Sequence, residues 1–391
     1  MTDLVQGQYK GKAIVVDSIG AQYTLQDVEI DASDLGEEEI LIRMHASGIC
    51  HTDILIAEGN LPCSFFPTIL GHEGCGTVVA LGKGNEHQVA VGDEVMLSFS
   101  SCGTCTSCVE TAPALCSSFY QRNFLRQSPG RNDRIKSQGK VLSSKLFGQS
   151  SFASLTVVDT NSVVKLPVGA KLQPEMAPFG CGIQTGAGSV FNILASVSIT
   201  PSQRSLSNHT LVVFGAGAVG LAAIMAGKLV GYGALVVVDV KPGRLSLARS
   251  LGATHTIDSL VERNVPEKIR EVSLEEDGPK SVFEATGIPT VVDQALRSVG
   301  THGTLLSAGS PGPGKTVNVE IDLFVRNTMS WRGTIEGHCD PRKLLPELVS
   351  LFLAGQFPVD KMMKTYRASD FATAVRDMQS GATVKPILLW E

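Results

Sequence analysis

Four thiols crowd one short stretch of this chain. Cys102, Cys105, Cys108 and Cys116 stand in "SCGTCTSCVETAPALC", spaced Cys-x2-Cys-x2-Cys-x7-Cys, although the whole chain has only nine cysteines. That spacing suits a tetrahedral Zn²⁺ held by thiolates at about 2.3 Å. Four thiolates close the coordination shell and leave no position for substrate or water, so the loop reads as a structural staple. Reduced thiols, disulfides and an iron–sulfur cluster are the competing readings. A second signature lies in "VVFGAGAVG", where Gly215-x-Gly217-x-x-Gly220 joins an apolar strand to an apolar helix. Gly215 permits a tight turn, Gly217 lets the backbone approach a pyrophosphate, and Gly220 lets helix and strand pack closely. Asp239 ends the next strand, "ALVVVDV". A carboxylate there accepts from ribose hydroxyls and repels a 2′-phosphate, which favours NAD over NADP. Arg244 softens that preference, because it would neutralise a phosphate.

These groups need a scaffold, and the chain supplies two kinds. Its 391 residues are long for one core and suggest two domains. Hydrophobic residues make up 43% and charged residues 18%, enough to bury a large core. From Lys12 to Gly180 short β-branched runs such as "KAIVVD", "EEILIRMHAS" and "GCGTVVALG" alternate with Gly-rich turns, an all-β pattern. The polar segment from Gln121 to Ser151 interrupts it and reads as an exposed loop. After Cys181 strands alternate with helices, which predicts a parallel sheet with crossovers. That rhythm fades near Asp322, and the tail reads as a helix and a strand that return to the first domain.

The net charge of −5 gives no reason to expect nucleic acid or an acidic membrane surface. No run reaches the roughly 18 apolar residues of a membrane span. The start, "MTDLVQGQYKGKAIVV", has no secretory apolar region, so a cytoplasmic location is expected. In that reducing compartment clustered cysteines bind metal more readily than they pair.

Three more ligand types are scattered: Cys50 in "GICHTD", His72 in "LGHEG" and Cys181 in "FGCGIQTGAG". Singly, each is ordinary. Together, "CHTD", "GHEGCGTV", the four-cysteine loop, "GCGIQTG" and "GAGAVG" follow the order found in the zinc-containing medium-chain alcohol dehydrogenases, which the chain resembles over nearly its whole length. "LSFSSCGTC", "CSSFYQRNF" and "FGQSSFA" resemble the aryl-alcohol (benzyl-alcohol) branch.

The resemblance implies an α/β protein. A mostly-β GroES-like catalytic domain, residues 1–182, would carry both zinc sites. A Rossmann domain with a doubly wound parallel sheet would span 183–325, and residues 326–391 would return to the catalytic domain. Cys50, His72 and Cys181 align with the protein ligands of a catalytic zinc, making two zinc ions per chain. Glu73 aligns with an acid that approaches the zinc during ligand exchange, and Asp53 with the carboxylate that orients the ligand histidine. Without the family context Glu73 reads as a buried ion-pair partner and Asp53 as a turn or cap residue. Thr52 resembles the hydroxyl that accepts the alcohol proton in an NAD-dependent oxidation to the aldehyde.

The family also leaves choices open. Nothing basic follows Asp53 in "CHTDIL" where liver-type relatives end the proton relay on a histidine. His51 is then a pyrophosphate ligand, the terminal base, or a surface histidine. Lys385 in "VKPILL" reads equally as a pyrophosphate ligand or a solvated lysine. Phe99 reads as a pocket wall or as core, and Cys63, Cys75 and Cys339 as packing residues. The leading activity is an alcohol dehydrogenase for aromatic or bulky primary alcohols. The alternatives are a glutathione-adduct (formaldehyde) dehydrogenase using Arg126, Arg131 and Arg134, and a nucleotide-binding relative without catalysis. Family precedent implies a homodimer or homotetramer.

Overall fold

The computed structural model describes residues 7–61, 65–84, 89–125, 134–195 and 206–391. Cys63, Arg126 and Arg131 lie outside these residues. The chain divides into two compact units: residues 1–181, 340–350 and 363–391 form one, and residues 182–339 and 351–362 the other.

Among the described residues of the first unit ten strands precede the second unit: β1 (Gln8–Val16), β2 (Thr24–Asp31), β3 (Glu39–Gly48), β4 (Thr68–Ile69), β5 (Gly74–Leu81), β6 (Glu94–Leu97), β7 (Ile135–Ser137), β8 (Lys140–Leu142), β9 (Leu155–Asp159) and β10 (Val163–Lys165). Two short helices, α1 (His51–Ala57) and α2 (Phe119–Asn123), interrupt them. One sheet runs β4-β1-β2-β7-β8. The other runs β10-β6-β5-β3 and continues through two strands from the end of the chain. Its core is Ile40, Ile42 and Met44 of β3 with Val78, Val95, Leu97 and Val158. The same-face spacing of Ile40, Ile42 and Met44 is the period of two that a pleated strand imposes.

The polar segment 121–151 departs from the expected exposed loop. Leu142 to Ser151 are all buried, and β7 and β8 pair within the first sheet. Composition misled because every polar group needs only a partner, not water. Ser150 Oγ donates to Ile69 O at 2.7 Å, and Lys145 Nζ donates to Glu39 Oε1 at 2.5 Å.

The second unit begins with α3 (Gly182–Gly188) and contains a parallel sheet. Its strands are β11 (Thr210–Phe214), β12 (Ala234–Asp239), β13 (His255–Asp258), β14 (Ser281–Glu284), β15 (Thr304–Ser307) and β16 (Ser330–Gly333). They run in the order β13-β12-β11-β14-β15-β16, all in parallel register. Helices α4 (Ala218–Val230), α5 (Pro242–Leu251), α6 (Val265–Val272), α7 (Pro289–Ser298) and α8 (Ile321–Asn327) make the connections. Every residue of β11 and β12 is buried, which explains their unbroken apolar sequence. The order reverses between β11 and β14, and such a switch point is where open parallel sheets bind ligands.

Helix α9 (Pro341–Leu353), β17 (Met363–Arg367), α10 (Phe371–Ser380) and β18 (Lys385–Leu389) complete the chain. β18 pairs antiparallel with β3, matching Ile387 to Gly48. Among the described residues no helix is long and apolar enough to cross a membrane.

Candidate active site and metal centres

The four-cysteine loop forms one cluster: the sulfurs of Cys102, Cys105, Cys108 and Cys116 all lie within 4.8 Å of one another. The backbone holds them there. Cys105 N–H donates to Cys102 Sγ and Cys102 N–H donates to Cys116 Sγ, both at 3.3 Å. Backbone amides of Ser117 and Cys108 pull the Cys105 thiol down to about 5. Just before the loop, Ser100 N–H donates to Asn123 Oδ1 and Ser100 Oγ to Asp159 Oδ2, each at 2.8 Å. Four sulfurs this close, with Cys102 and Cys105 biased toward thiolate, fit a cation that removes their mutual repulsion.

The second cluster joins Cys50, His72, Glu73 and Cys181, whose ligand atoms also lie within 4.8 Å of one another. Cys50 caps α1 just after β3, and its backbone is extended. His72 and Glu73 directly precede β5. Cys181 ends the helical turn Pro174–Gly180. Gly180 is needed there, because a Cβ at that position would run into Leu97 O of β6.

Asp53 ties the set together. It is fully buried, and its Oδ1 lies 3.0 Å from His72 Nδ1. The same oxygen accepts from Gly71 N–H at 2.9 Å, and Oδ2 accepts from Cys50 N–H at 3.1 Å. An anchored Nδ1–H leaves Nε2 with its lone pair free to ligate. His72 Nε2 is buried and has no hydrogen-bond partner. A hydrogen bond from Cys181 pulls the Cys50 thiol well below the usual thiol range. Two thiols and an orphaned imidazole nitrogen are a donor set that fits Zn²⁺.

Thr52 stands half-buried and His51 exposed in the first turn of α1. Lys385 is not the solvated lysine that sequence allowed: it is buried, and Nζ donates to Glu73 Oε1 at 2.8 Å, Glu73 Oε2 at 2.9 Å and Ile49 O at 3.2 Å. Those bonds occupy the donors a pyrophosphate would use. Arg134 is likewise committed, with Nε donating to Glu39 Oε2 at 2.7 Å. Cys75 is fully buried, and burial pushes its thiol up to about 12, as a packing residue should be. Cys339 is buried too and donates to Gln184 Oε1 at 3.5 Å.

Two neighbours of His72 escaped the sequence reading as site residues. Gln149 Nε2 donates to both His72 O and Ser98 O at 2.9 Å. The Phe147 ring stacks on the His72 imidazole with centroids 4.6 Å apart, and Phe124 meets Phe147 edge-on at 5.0 Å. Both belong to "LFGQSSFA", so the signal was present, but the polar run hid it. Phe99 is buried against Phe119.

In the second unit Gly215 has φ +96°, a left-handed conformation that favours glycine. A Cβ on Gly220 would strike Gly215 O, whereas a Cβ on Gly217 would meet nothing within 4 Å. Gly217 caps α4 and so leaves open space at a helix N-terminus, as a pyrophosphate requires. Asp239 ends β12 and accepts from Ala216 N–H at 2.7 Å and Lys241 N–H at 2.9 Å. Each oxygen keeps a lone pair for a ribose hydroxyl. Arg244 sits in the first turn of α5, and its buried Nε has no partner.

Comparison with known proteins agrees with this geometry. The family model of the alcohol dehydrogenase GroES-like domain matches residues 36–168, and that of the zinc-binding dehydrogenases matches residues 218–354. The geraniol dehydrogenase of Castellaniella defragrans is 33% identical, over 97% of each chain. The crystal structure of an alcohol dehydrogenase zinc-binding domain protein from Burkholderia ambifaria superposes with TM-score 0.90 at 36% identity, covering 98% of this chain and 100% of that one. That of benzyl alcohol dehydrogenase from Acinetobacter calcoaceticus gives TM-score 0.88 at 35% identity, with the same coverage.

The two clusters should separate on mutation. Cys105→Ser should lose one equivalent of zinc and lower the melting temperature, because structural zinc contributes folding free energy. Asp53→Asn should keep the loop metal but weaken zinc at Cys50, His72 and Cys181 by about 10–100-fold. Metal analysis during chelator titration reads both. Unchanged zinc content and melting temperature in Cys105→Ser would rule out the structural assignment.

Proposed function

The chain belongs to the zinc-containing alcohol dehydrogenase family, and from that premise we propose that it reversibly oxidises an aromatic or similarly bulky primary alcohol to the aldehyde. Zinc and NAD are its cofactors. The observation that carries the reading is His72 Nε2, buried and unpartnered beside two thiols, with Asp53 fixing the other side of the ring. When bound, zinc supplies a Lewis acid for the substrate oxygen, and NAD⁺ accepts the electron pair with its hydrogen.

The chain's own residues do the rest. Cys50, His72 and Cys181 leave a coordination place that no required protein ligand fills. Thr52, next but one to Cys50, presents a hydroxyl that accepts the alcohol proton. His51, exposed beside it, is placed either to pass that proton on or to hold a pyrophosphate oxygen. The rings of Phe147, Phe124 and Phe119 gather on one side of His72, and this apolar wall supports an aromatic substrate. The glutathione-adduct alternative loses Arg134, which is committed to Glu39. In the second unit Gly215, Gly217 and Gly220 receive the pyrophosphate, and Asp239 receives the adenosine ribose. We place the enzyme in the cytoplasm, where the four loop thiols stay reduced.

The second unit also supports a homodimer, alone or paired into a tetramer. β16 is an edge strand whose four residues are all exposed, and α8 beside it in sequence buries none of its residues. Ile321 and Val325 are 79% and 70% exposed. An unpaired edge flanked by apolar side chains is a template for a second copy.

NADH formation should be fastest, in kcat/KM, with benzylic and allylic alcohols. Ethanol should fall behind by about tenfold or more, since each buried methylene contributes about 1–3 kcal/mol. A requirement for glutathione would overturn the substrate assignment. Thr52→Ala should lower kcat by about 10²–10⁴-fold with NAD⁺ affinity kept, and full activity would remove Thr52 from proton transfer. Asp239→Ala should raise kcat/KM with NADP relative to NAD; a wild type already preferring NADP would refute the role of Asp239. For assembly, sedimentation should show a dimer or tetramer that Gly333→Pro, which removes an N–H on the open edge because Ser330 and Thr334 donate inward to β15, converts to monomer. A monomeric wild type would dismiss the proposed interface.

A further inference from the structure

Glu73 is drawn in two directions. Its carboxylate belongs to the ligand cluster with Cys50, His72 and Cys181, all within 4.8 Å of one another. Yet both of its oxygens accept from Lys385 Nζ, at 2.8 and 2.9 Å. The pair is sealed from solvent, with side-chain exposures of 0% for Glu73 and 5% for Lys385. Neither charge has water as an alternative partner.

The fold goes to some length to build this pair. Lys385 opens β18, which pairs with β3 at Ile387–Gly48 and so brings the lysine beside Ile49, whose carbonyl takes a further bond from Nζ. Glu73 lies across Gly48, where any Cβ would collide with its Oε2. Gly48 N–H also donates to Glu73 O at 2.7 Å, so the backbone on both sides is fixed. The carboxylate thus sits at the edge of the metal site, held from behind by a buried cation.

Charge decides what the lysine does. Two thiolates already balance a divalent metal, so a third anion would leave the site with excess negative charge. Without Lys385, however, the buried carboxylate would lose the cation bonded to both its oxygens, and the metal would be the cation within its reach. We propose that Lys385 is a positioning residue that latches Glu73 away from the metal's fourth place and so reserves that place for substrate. The latch rests on Cys50, His72 and Cys181 being the catalytic zinc ligands, as argued above. It predicts that Glu73 becomes a metal ligand when the lysine charge is removed.

The test uses the full-length holoenzyme, with Co²⁺ exchanged for zinc at this site and imidazole as the probe of the open place. In Lys385→Met the cobalt absorption spectrum should shift, and imidazole affinity should fall by about tenfold or more. Lys385→Met/Glu73→Gln should return both to the wild-type pattern, within about twofold in affinity, and Lys385→Arg should keep that pattern throughout. A merely structural lysine would give no such rescue. Lys385→Met with an unchanged spectrum and affinity overturns the latch, and so does a loss that the second substitution does not restore.

Glu73→Gln alone decides the matter if Lys385→Met does not fold. It should leave imidazole affinity within about twofold, since the carboxylate is already held off. A tenfold rise would show that Glu73 occupies the fourth place in the wild type and that Lys385 does not prevent it. Metal content separates the two levels of the argument. One zinc per chain in the wild type overturns the site and the latch together, whereas two with an unaltered Lys385→Met overturns the latch alone.

Discussion

A buried carboxylate must be satisfied by the donors packed around it, and at Asp53 those donors set the geometry of the metal site. It takes the N–H of Cys50, the N–H of Gly71 and the Nδ1 of His72. One side chain thereby fixes the start of α1 and the approach to β5, the two segments that deliver Cys50 and His72. Losing the Cys50 N–H would take from the buried Oδ2 its hydrogen bond, at a cost of about 1–3 kcal/mol. Asp53 thus orders two of the ligands by contacts of the protein itself. Ordering that a metal need not impose itself is binding energy kept for the metal.

The opposite side of His72 is held by backbone strain. Lys145, Phe147 and Ser150 have φ of +81°, +53° and +47°. Non-glycine residues in this region cost of order 1–3 kcal/mol each. The offsetting contacts are visible. Lys145 is buried between Glu39 and Asp159, Gln149 donates to the His72 carbonyl, and Ser150 Oγ donates to Ile69 O and accepts from Leu146 N–H. What the strain delivers is the Phe147 ring face, laid flat on the imidazole. Asp53 thus fixes the ring's nitrogen and Phe147 fixes its plane, by unrelated interactions.

How much of this was legible depended on the range of the interaction. The four-cysteine loop and the Gly215–Gly220 turn are local: their spacing carries the chemistry, and the flanking strand and helix confirm it. Asp239 was readable for the same reason, being the end of the next strand. Cys50, His72 and Cys181 come from three distant segments, and no spacing rule connects them; resemblance alone assembled them. Lys385 was undecided because its partner is set by the pairing of β18 with β3, which hydrophobic pattern does not reveal. The segment from Gln121 to Ser151 was misjudged because polar composition predicts exposure only when polar groups lack internal partners. Here Gln149, Ser150 and Lys145 find theirs across β3, β9 and the turn before β5.

One more constraint follows from connectivity. Cys181 is the last residue of the first unit's opening stretch, and Gly182 begins α3 in the second. α3 has little freedom of its own. A Cβ on Gly186 would strike Val219 O in the first turn of α4, the helix that begins at the glycine turn. Its far end lies against Gly337, in a run where Glu336, Gly337 and His338 all have positive φ. Gln184 Nε2 adds a bond to Glu336 Oε2 at 2.7 Å. A metal ligand is therefore joined by one peptide bond to a helix packed against the dinucleotide helix at backbone contact. In "CGIQTGAG" Gly186 is what allows that contact, and Gly188 allows the close approach to Gly337. The motif is thus a packing requirement of the second unit as much as a ligand signature of the first.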